Sequence, residues 1–355
     1  MWAGFAAYLG VLAAAPALGR RLVWGTIAAL VTAFALAPVL LSHDVYSYVD
    51  YARLGVVHDL DPYVHPPDAV PSDPAFADVA WTESTSAYGP LFTLATYPLA
   101  WLGVGTAVAV LKAVAALSVL GLAALAARLA AWRGVEPLRA AAFVALNPLV
   151  LVHVVGGAHN DGLTMLLSML AVAAILSARE ASGGAALAAA VATKASAAFL
   201  APFALLATVR DRGWPKLLAG AALATALIAA AACLAFSWDW LGGFGLAGEN
   251  QDRSSHMSIP ITFARLTGLG PDPIRAAAAI LYATLLSYLL TYTWRGGDWV
   301  RATAWAALGL LLATSWLLPW YLVWLLPLAA ISRDRPLQLL TLALTAYQLG
   351  ARIPL

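Results

Sequence analysis

The sequence predicts an all-α, polytopic membrane bundle, and three observations carry that expectation. Only 11% of the 355 residues are charged, less than half of the roughly 25% of a soluble chain, while 62% are hydrophobic and the mean hydropathy is +0.81. Uncharged stretches long enough to cross a bilayer as helices recur along the chain, among them Leu22 to Leu41 and Leu217 to Phe236. The remaining charges are sorted: most basic residues fall in short connections, and most acids and all six histidines fall at the other ends of the apolar segments. A net charge of +2 gives no reason to expect nucleic acid as a partner.

In chain order, apolar segments lie near residues 2–18, 22–41, 104–127, 138–155, 160–178, 183–208, 216–236, 273–293, 302–317, 319–331 and 337–352, about 11–12 membrane segments. The first has no basic residues before it, and Arg20-Arg21 follow it, so it reads as a retained helix rather than a cleaved leader. The 183–208 segment carries Lys194 at its middle and Pro202 beyond. It is expected to be a hairpin of two short helices meeting near Lys194, since interrupted helices persist in membranes where they line a polar cavity. With that hairpin, the short connections hold Arg20, Arg21, Arg128, Arg133, Arg139, Arg179, Arg210, Arg212, Lys216, Arg295, Arg301, Arg333 and Arg335. The opposite side has Arg53, Arg253, Arg265, Arg275 and Arg352, so the basic face is expected to be cytoplasmic. Cys233 is the single cysteine and excludes an intramolecular disulfide.

The whole chain, 1–355, reads as one transmembrane domain with two long outer loops, 42–88 and 237–272. Connections of this length are usually functional or disordered, and the Tyr, Trp and Val content of the first argues against disorder. Within it, Asp44 to His58 has helical spacing, with Val45, Tyr48, Val49, Ala52 and Val56 on one face and Ser42 as a plausible N-cap. That helix is expected to lie on the membrane surface with its apolar face in the interface.

Four places carry side chains capable of chemistry. Asp44 stands beside His43 at the start of the surface helix, where the helix dipole favours an ionised carboxylate; capping is its bland alternative. The turn Gly156-Gly157-Ala158-His159-Asn160-Asp161 gathers three polar side chains between two apolar helices. Here capping by Asp161 or Asn160 is the bland alternative, and His153 one turn earlier reads as a core histidine. Lys194 in an apolar segment costs about 2.5–3.5 kcal/mol on insertion scales and is a functional candidate for that reason. Glu249 to His256 is a dense polar cluster in which Arg253 is suited to gripping a phosphate. Nucleotide-binding glycine loops and a His-Glu-x-x-His zinc helix are missing, which favours a lipid-borne substrate over a soluble nucleotide sugar.

Several stretches carry a family resemblance: Ser42-His43-Asp44-Val45-Tyr46-Ser47-Tyr48 with Asp61-Pro62-Tyr63, Tyr88-Gly89-Pro90-Leu91, Asn147-Pro148, Gly156 to Asp161, Thr193-Lys194, and Pro319-Trp320-Tyr321 with Trp324. Spread in this order, they resemble the polytopic, lipid-linked glycosyltransferases of the GT-C class. The nearest are the actinobacterial polyprenyl-phosphate-mannose-dependent mannosyltransferases of lipoglycan assembly, and the catalytic subunit of the GPI mannosyltransferase is more distant. The resemblance implies a polyprenyl-phosphate-sugar donor, a glycan or glycolipid acceptor, and inverting transfer at the extracytoplasmic face of a bacterial plasma membrane. It further implies an aspartate base in the first outer loop, here Asp44. Many relatives have an acidic pair there, whereas this chain has His43 next to Asp44. A divalent metal is compatible with the residues but not required by them, and no other cofactor is called for.

On this reading Asp44 is the general base, with Asp161 as second choice or as an orienting group, and Lys194, Arg253 and His256 hold the donor phosphate. His43, Tyr46, Tyr88, His159, Asn160 and Trp320 are the candidate substrate contacts, and Trp81 joins the aromatic residues suited to stacking on sugars. Arabinose or glucose as the donated sugar, and a flippase for a lipid-linked sugar, are the competing readings.

Overall fold

The computed structural model describes residues 1–249 and 252–351, so Asn250 and Gln251 of the polar cluster, and Arg352, lie outside the described residues. The described residues are all-helical. The helices are α1 (Trp2–Leu36), α2 (Asp44–Val57), α3 (Pro90–Thr96), α4 (Val104–Trp132), α5 (Pro137–Ala145), α6 (Asp161–Leu176), α7 (Glu180–Thr193) and α8 (Ala201–Val209). They continue with α9 (Trp214–Phe236), α10 (Gly242–Glu249), α11 (Ile259–Thr267), α12 (Pro271–Trp294), α13 (Trp299–Ala313), α14 (Leu326–Ile331) and α15 (Arg335–Gly350).

Four of these, α1, α4, α9 and α12, are long and apolar enough to cross a membrane. Other apolar segments are shorter than the sequence suggested, because polar residues and prolines break them. Asn147-Pro148 divides the 138–155 segment into α5 and a π-helical turn, Val150–Val155. The Asn147 side chain accepts from Leu149 N at 3.0 Å and donates to Thr345 Oγ1 at 3.2 Å, which satisfies the break. Toward the C-terminal end, Pro319 opens a 3-10 turn and Pro327 stands in the first turn of α14.

The chain runs back and forth between two ends. α1 leaves helical geometry at Gly19 (φ 74°, ψ 162°), next to Arg20-Arg21. Both of its outer extremities lie at the opposite end: Trp2 packs by Gly350, and beyond the helix Leu40 N donates to Gly156 O at 3.2 Å. The expected hairpin at Lys194 is present. α7 stops at Thr193, Lys194 is extended (φ −156°, ψ 127°), and a 3-10 turn leads into α8. The return brings Gly213 against the side chain of Glu180, level with the start of α7. α4 packs against α1, α5 and α6 at the centre of the bundle. α9 and α12 expose Leu223, Leu227, Leu234, Ile280 and Leu281 on its flank, as helices facing lipid do.

The two ends differ in charge. One gathers Arg133, Arg301 and Arg333, with Arg133 paired to Asp298 and Arg301 Nε 2.6 Å from Asp334 Oδ2. The other carries the two long loops.

Helix α2 forms where expected but sits differently. Val45, Tyr48 and Val49 are buried in a cluster with Phe92, Ala107, Val108 and Leu111, and Ala52 is buried as well, so this face packs on protein rather than on lipid. The cap is His43, with Ser42 Oγ accepting from Asp44 N at 3.4 Å. α4 and Tyr88 cover this apolar stripe, and burial against them removes it from water.

Gly89 joins the first loop to the hairpin tip. Its N–H donates to Thr193 O at 3.1 Å, and a Cβ at this position would lie 2.1 Å from Ala192 O. Gly89→Ala is therefore expected to destabilise the fold by about 2 kcal/mol. Gly25→Ala, where an added Cβ meets nothing within 4 Å, is expected to be neutral or stabilising. Thermal unfolding of the two variants in detergent checks the contrast.

Candidate functional site

A cavity of about 420 Å³ opens at the loop end of the bundle. Asp44, Trp81, Tyr88, Lys194, Arg253 and Trp320 line it, and Tyr321, Trp316, Trp324 and Ser196 complete the wall. The first long loop, the hairpin tip, the second long loop and the segment after α13 each supply part of it.

Asp44 is in the first turn of α2, at the point where the chain emerges from α1. Gly156 and Gly157 permit this placement, because a Cβ on Gly156 would lie 2.8 Å from Leu40 Cδ1. The Asp44 side chain retains 15% exposure. Its Oδ1 accepts from Trp81 Nε1 at 3.1 Å, and its Oδ2 lies 3.6 Å from His159 Nδ1. Burial pushes the Asp44 carboxyl above the ordinary carboxylate range. The Trp81 N–H and the positive charge of Lys194 oppose that rise, while the negative charge of Asp161 adds to it. His159 is fully buried, and its ring is stacked 3.7 Å from that of Trp320 at 18°. Burial, then Lys194 and His153, push the His159 ring well below the usual histidine range, so it is neutral.

Asp161 begins α6 and is wholly buried. Lys194 Nζ donates to its Oδ2 at 2.7 Å, and Trp324 Nε1 donates to its Oδ1 at 2.7 Å. Both carboxylate oxygens are therefore engaged by donors, and the role this geometry supports is to hold Lys194. The ammonium, 16% exposed, stands 5.4 Å from the Tyr321 ring centroid and faces the cavity. Arg253 reaches the same cavity from the second loop, with its guanidinium 5.2 Å from the Trp81 ring and 6.0 Å from that of Trp316.

Not every residue singled out in the sequence gathers here. His43 is exposed, and its Nδ1 contacts Asp78 O at 2.9 Å. Tyr46 packs on His43 outside the cavity lining. His256 is exposed and is not among the lining residues. Asn160 is buried behind the cavity, where neither side-chain atom has a hydrogen-bond partner among the described residues. Among the described residues no group of three or more His, Cys, Asp or Glu is arranged to hold a metal ion. Sequence reasoning missed Trp324 as a partner of Asp161, and Trp316 as a partner of Arg253. The run Trp316, Trp320, Tyr321, Trp324 held the signal: aromatic residues at spacings of three and four, more concentrated than interfacial anchoring needs.

An all-α membrane bundle with a carboxylate, a lysine and an aromatic wall around one cavity is the arrangement expected of the polytopic GT-C glycosyltransferases that the sequence resembles. A family model described as "Alpha-(1->6)-mannopyranosyltransferase, N-terminal domain" matches residues 1–210, and the chain belongs to this family of mannosyltransferases. It is similar to alpha-(1->6)-mannopyranosyltransferase A of Mycobacterium tuberculosis, 30% identical over 349 residues that cover 88% of this chain and 67% of that protein. The protein of the same name from Corynebacterium glutamicum is 32% identical over 201 residues, 53% of this chain and 39% of that one. A probable alpha-(1->6)-mannopyranosyltransferase of Mycolicibacterium smegmatis is 36% identical over 150 residues, 38% of this chain and 25% of its own length. The chain thus spans about two thirds of the first of these relatives and less of the others. No solved structure matches. Asp44, Asp161 and Lys194 fall inside the matched residues, and Arg253, Trp316, Trp320 and Trp324 lie beyond them.

The Lys194–Asp161 pair makes a direct stability test. Asp161→Asn leaves the ammonium without its counter-charge and is expected to cost about 3 kcal/mol. Asp161→Asn combined with Lys194→Met is expected to recover part of that loss, as read by thermal unfolding of both variants.

Proposed function

We propose that this chain transfers mannose, with inversion, from polyprenyl-phosphate-mannose to an acceptor hydroxyl on a glycan or glycolipid, at the extracytoplasmic face of the plasma membrane. The observation that carries the reading is that Asp44 and Lys194 line one cavity at the loop end of the bundle. Family membership supports the sugar, and the relatives' printed names support a primary 6-hydroxyl as acceptor. The arginines gathered at the opposite end support the orientation, since short basic connections stay on the cytoplasmic side.

The chemistry follows from the charges. The attacking hydroxyl gives its proton to Asp44 as its oxygen bonds to C1 of the mannose. The C1–O bond to the phosphate breaks, its electron pair stays on that oxygen, and the polyprenyl phosphate gains one negative charge. Such a leaving group needs no proton from a general acid. It needs fixed positive charge where its own charge grows, and Lys194, with Arg253 at the rim, provides this. Asp161 and Trp324 set the position of the ammonium before the donor arrives.

Asp44→Asn and Asp44→Ala are each expected to lower transfer at least ~100-fold, with unfolding behaviour close to that of the unaltered protein. Full activity in both removes Asp44 as base. The reacting form of Asp44 is the ionised one, and its folded-state pKa is raised. Transfer is therefore expected to fall as pH drops through a value above the ordinary aspartate range of about 3.9. A rate profile measured with purified protein and synthetic donor reads this limb. Arg253→Ala is expected to raise the KM for the donor more than it lowers kcat, as steady-state kinetics will show.

A further inference from the structure

The His159 ring has a neighbour but no hydrogen bond. Its ring is fully buried, and neither nitrogen has a hydrogen-bond partner among the described residues. An unpaired buried polar group of this kind is costly. The stack on Trp320 fixes the ring plane, and Nδ1 lies 3.6 Å from Asp44 Oδ2. This is longer than a hydrogen bond by a few tenths of an ångström, a gap that ordinary side-chain motion closes. On the other side of the carboxylate, the Trp81 N–H is already bonded to Oδ1.

We propose that Trp81 and His159 are positioning residues that hold the Asp44 carboxylate from two sides, with the indole N–H on Oδ1 and the imidazole Nδ1–H closing on Oδ2. The inference rests on Asp44 acting as the base. Each donor occupies one oxygen, so the carboxylate can neither rotate nor turn away from the cavity, and a free lone pair stays directed at the acceptor hydroxyl. Two donors also favour the ionised form, against the burial that disfavours it. A neutral imidazole suits this role: it donates one proton without adding a charge that would compete with Lys194 for Asp44.

The other charged groups facing Asp44 do not substitute for the pair. Lys194 acts from the hairpin tip and Asp161 from the start of α6, with opposite signs. Tyr48 and Tyr51 of α2 and Tyr88 of the first loop are neutral phenols with raised pKa, and Tyr321 lines the same cavity. Arg253 stands over the Trp81 ring, 5.2 Å from its centroid.

The test compares two substitutions of one residue. His159→Phe keeps a ring to stack on Trp320 but has no N–H, whereas His159→Asn loses the stack but keeps an N–H near the position of Nδ1. The readout is the titration midpoint of the Asp44 carboxyl band in infrared difference spectra of the full chain without substrate, with the band assigned by its loss in Asp44→Asn. His159→Phe and Trp81→Phe are each expected to raise the proton affinity of Asp44 about tenfold, while His159→Asn leaves the midpoint near that of the unaltered protein. An unchanged midpoint in both Phe variants overturns the proposal. So does a His159→Asn shift as large as that of His159→Phe, since that is the pattern of a histidine serving only as a packing ring. The pH profile of mannosyl transfer separates this inference from the reading beneath it. If the midpoints move as expected and the acid limb does not follow, the two-sided hold stands and Asp44 as base falls.

Discussion

The buried contact between Lys194 and Asp161 is the constraint on which the rest of the site depends. An ammonium inside an apolar bundle is stable only where a counter-charge and good geometry meet it, and here the carboxylate has both oxygens filled, by Lys194 and by Trp324. Three parts of the chain must therefore converge: the start of α6, the tip of the α7–α8 hairpin, and the aromatic turn before α14. The hairpin tip in turn receives the first loop through Gly89. A continuous helix over 183–208 would carry Lys194 past this point without stopping there. The break in the helix and the ion pair are two sides of one arrangement.

Around that anchor the site separates two carboxylates by environment. Asp161 is fully buried and saturated with donors, so it holds a cation in place. Asp44 keeps some exposure to the cavity, has one donor hydrogen-bonded and one nearby, and is raised by burial. Two aspartates with the same chemistry thereby differ in what they leave free: both oxygens of Asp161 accept hydrogen bonds, whereas Asp44 has only Oδ1 engaged by Trp81. The aromatic residues are the medium of this separation. Trp324 and Trp81 each give an indole N–H to a carboxylate, and Trp320 orients the imidazole beside Asp44.

Much of the fold was legible in the sequence because the membrane leaves few options. Apolar length identified the helices, and the interruption at Lys194 with Pro202 identified the hairpin, since a lysine cannot pass unpartnered through lipid. Helix α2 was legible as a helix, but not in its environment: Val45, Tyr48 and Val49 form the same stripe whether lipid or α4 covers it. His43 and His256 show the corresponding weakness for the site. His43 stands next to Asp44 in sequence and His256 three residues from Arg253, yet His43 turns toward Asp78 O and His256 is exposed. Neighbours in an irregular segment point in directions that only the backbone path sets.

The sequence by itself determined the class of the protein, the number and order of its polar interruptions, and the set of charged residues available for chemistry. These follow from composition and spacing, because burying charge in lipid is so costly that each exception marks a purpose. Tertiary structure decided which of those residues share a cavity and what each one touches. The partners of Asp161 come from residues 33 and 163 positions away along the chain, and the indole that holds Asp44 is 37 positions away. Hydrogen bonds act over about 3 Å, so contacts across such separations exist only once the helices have packed.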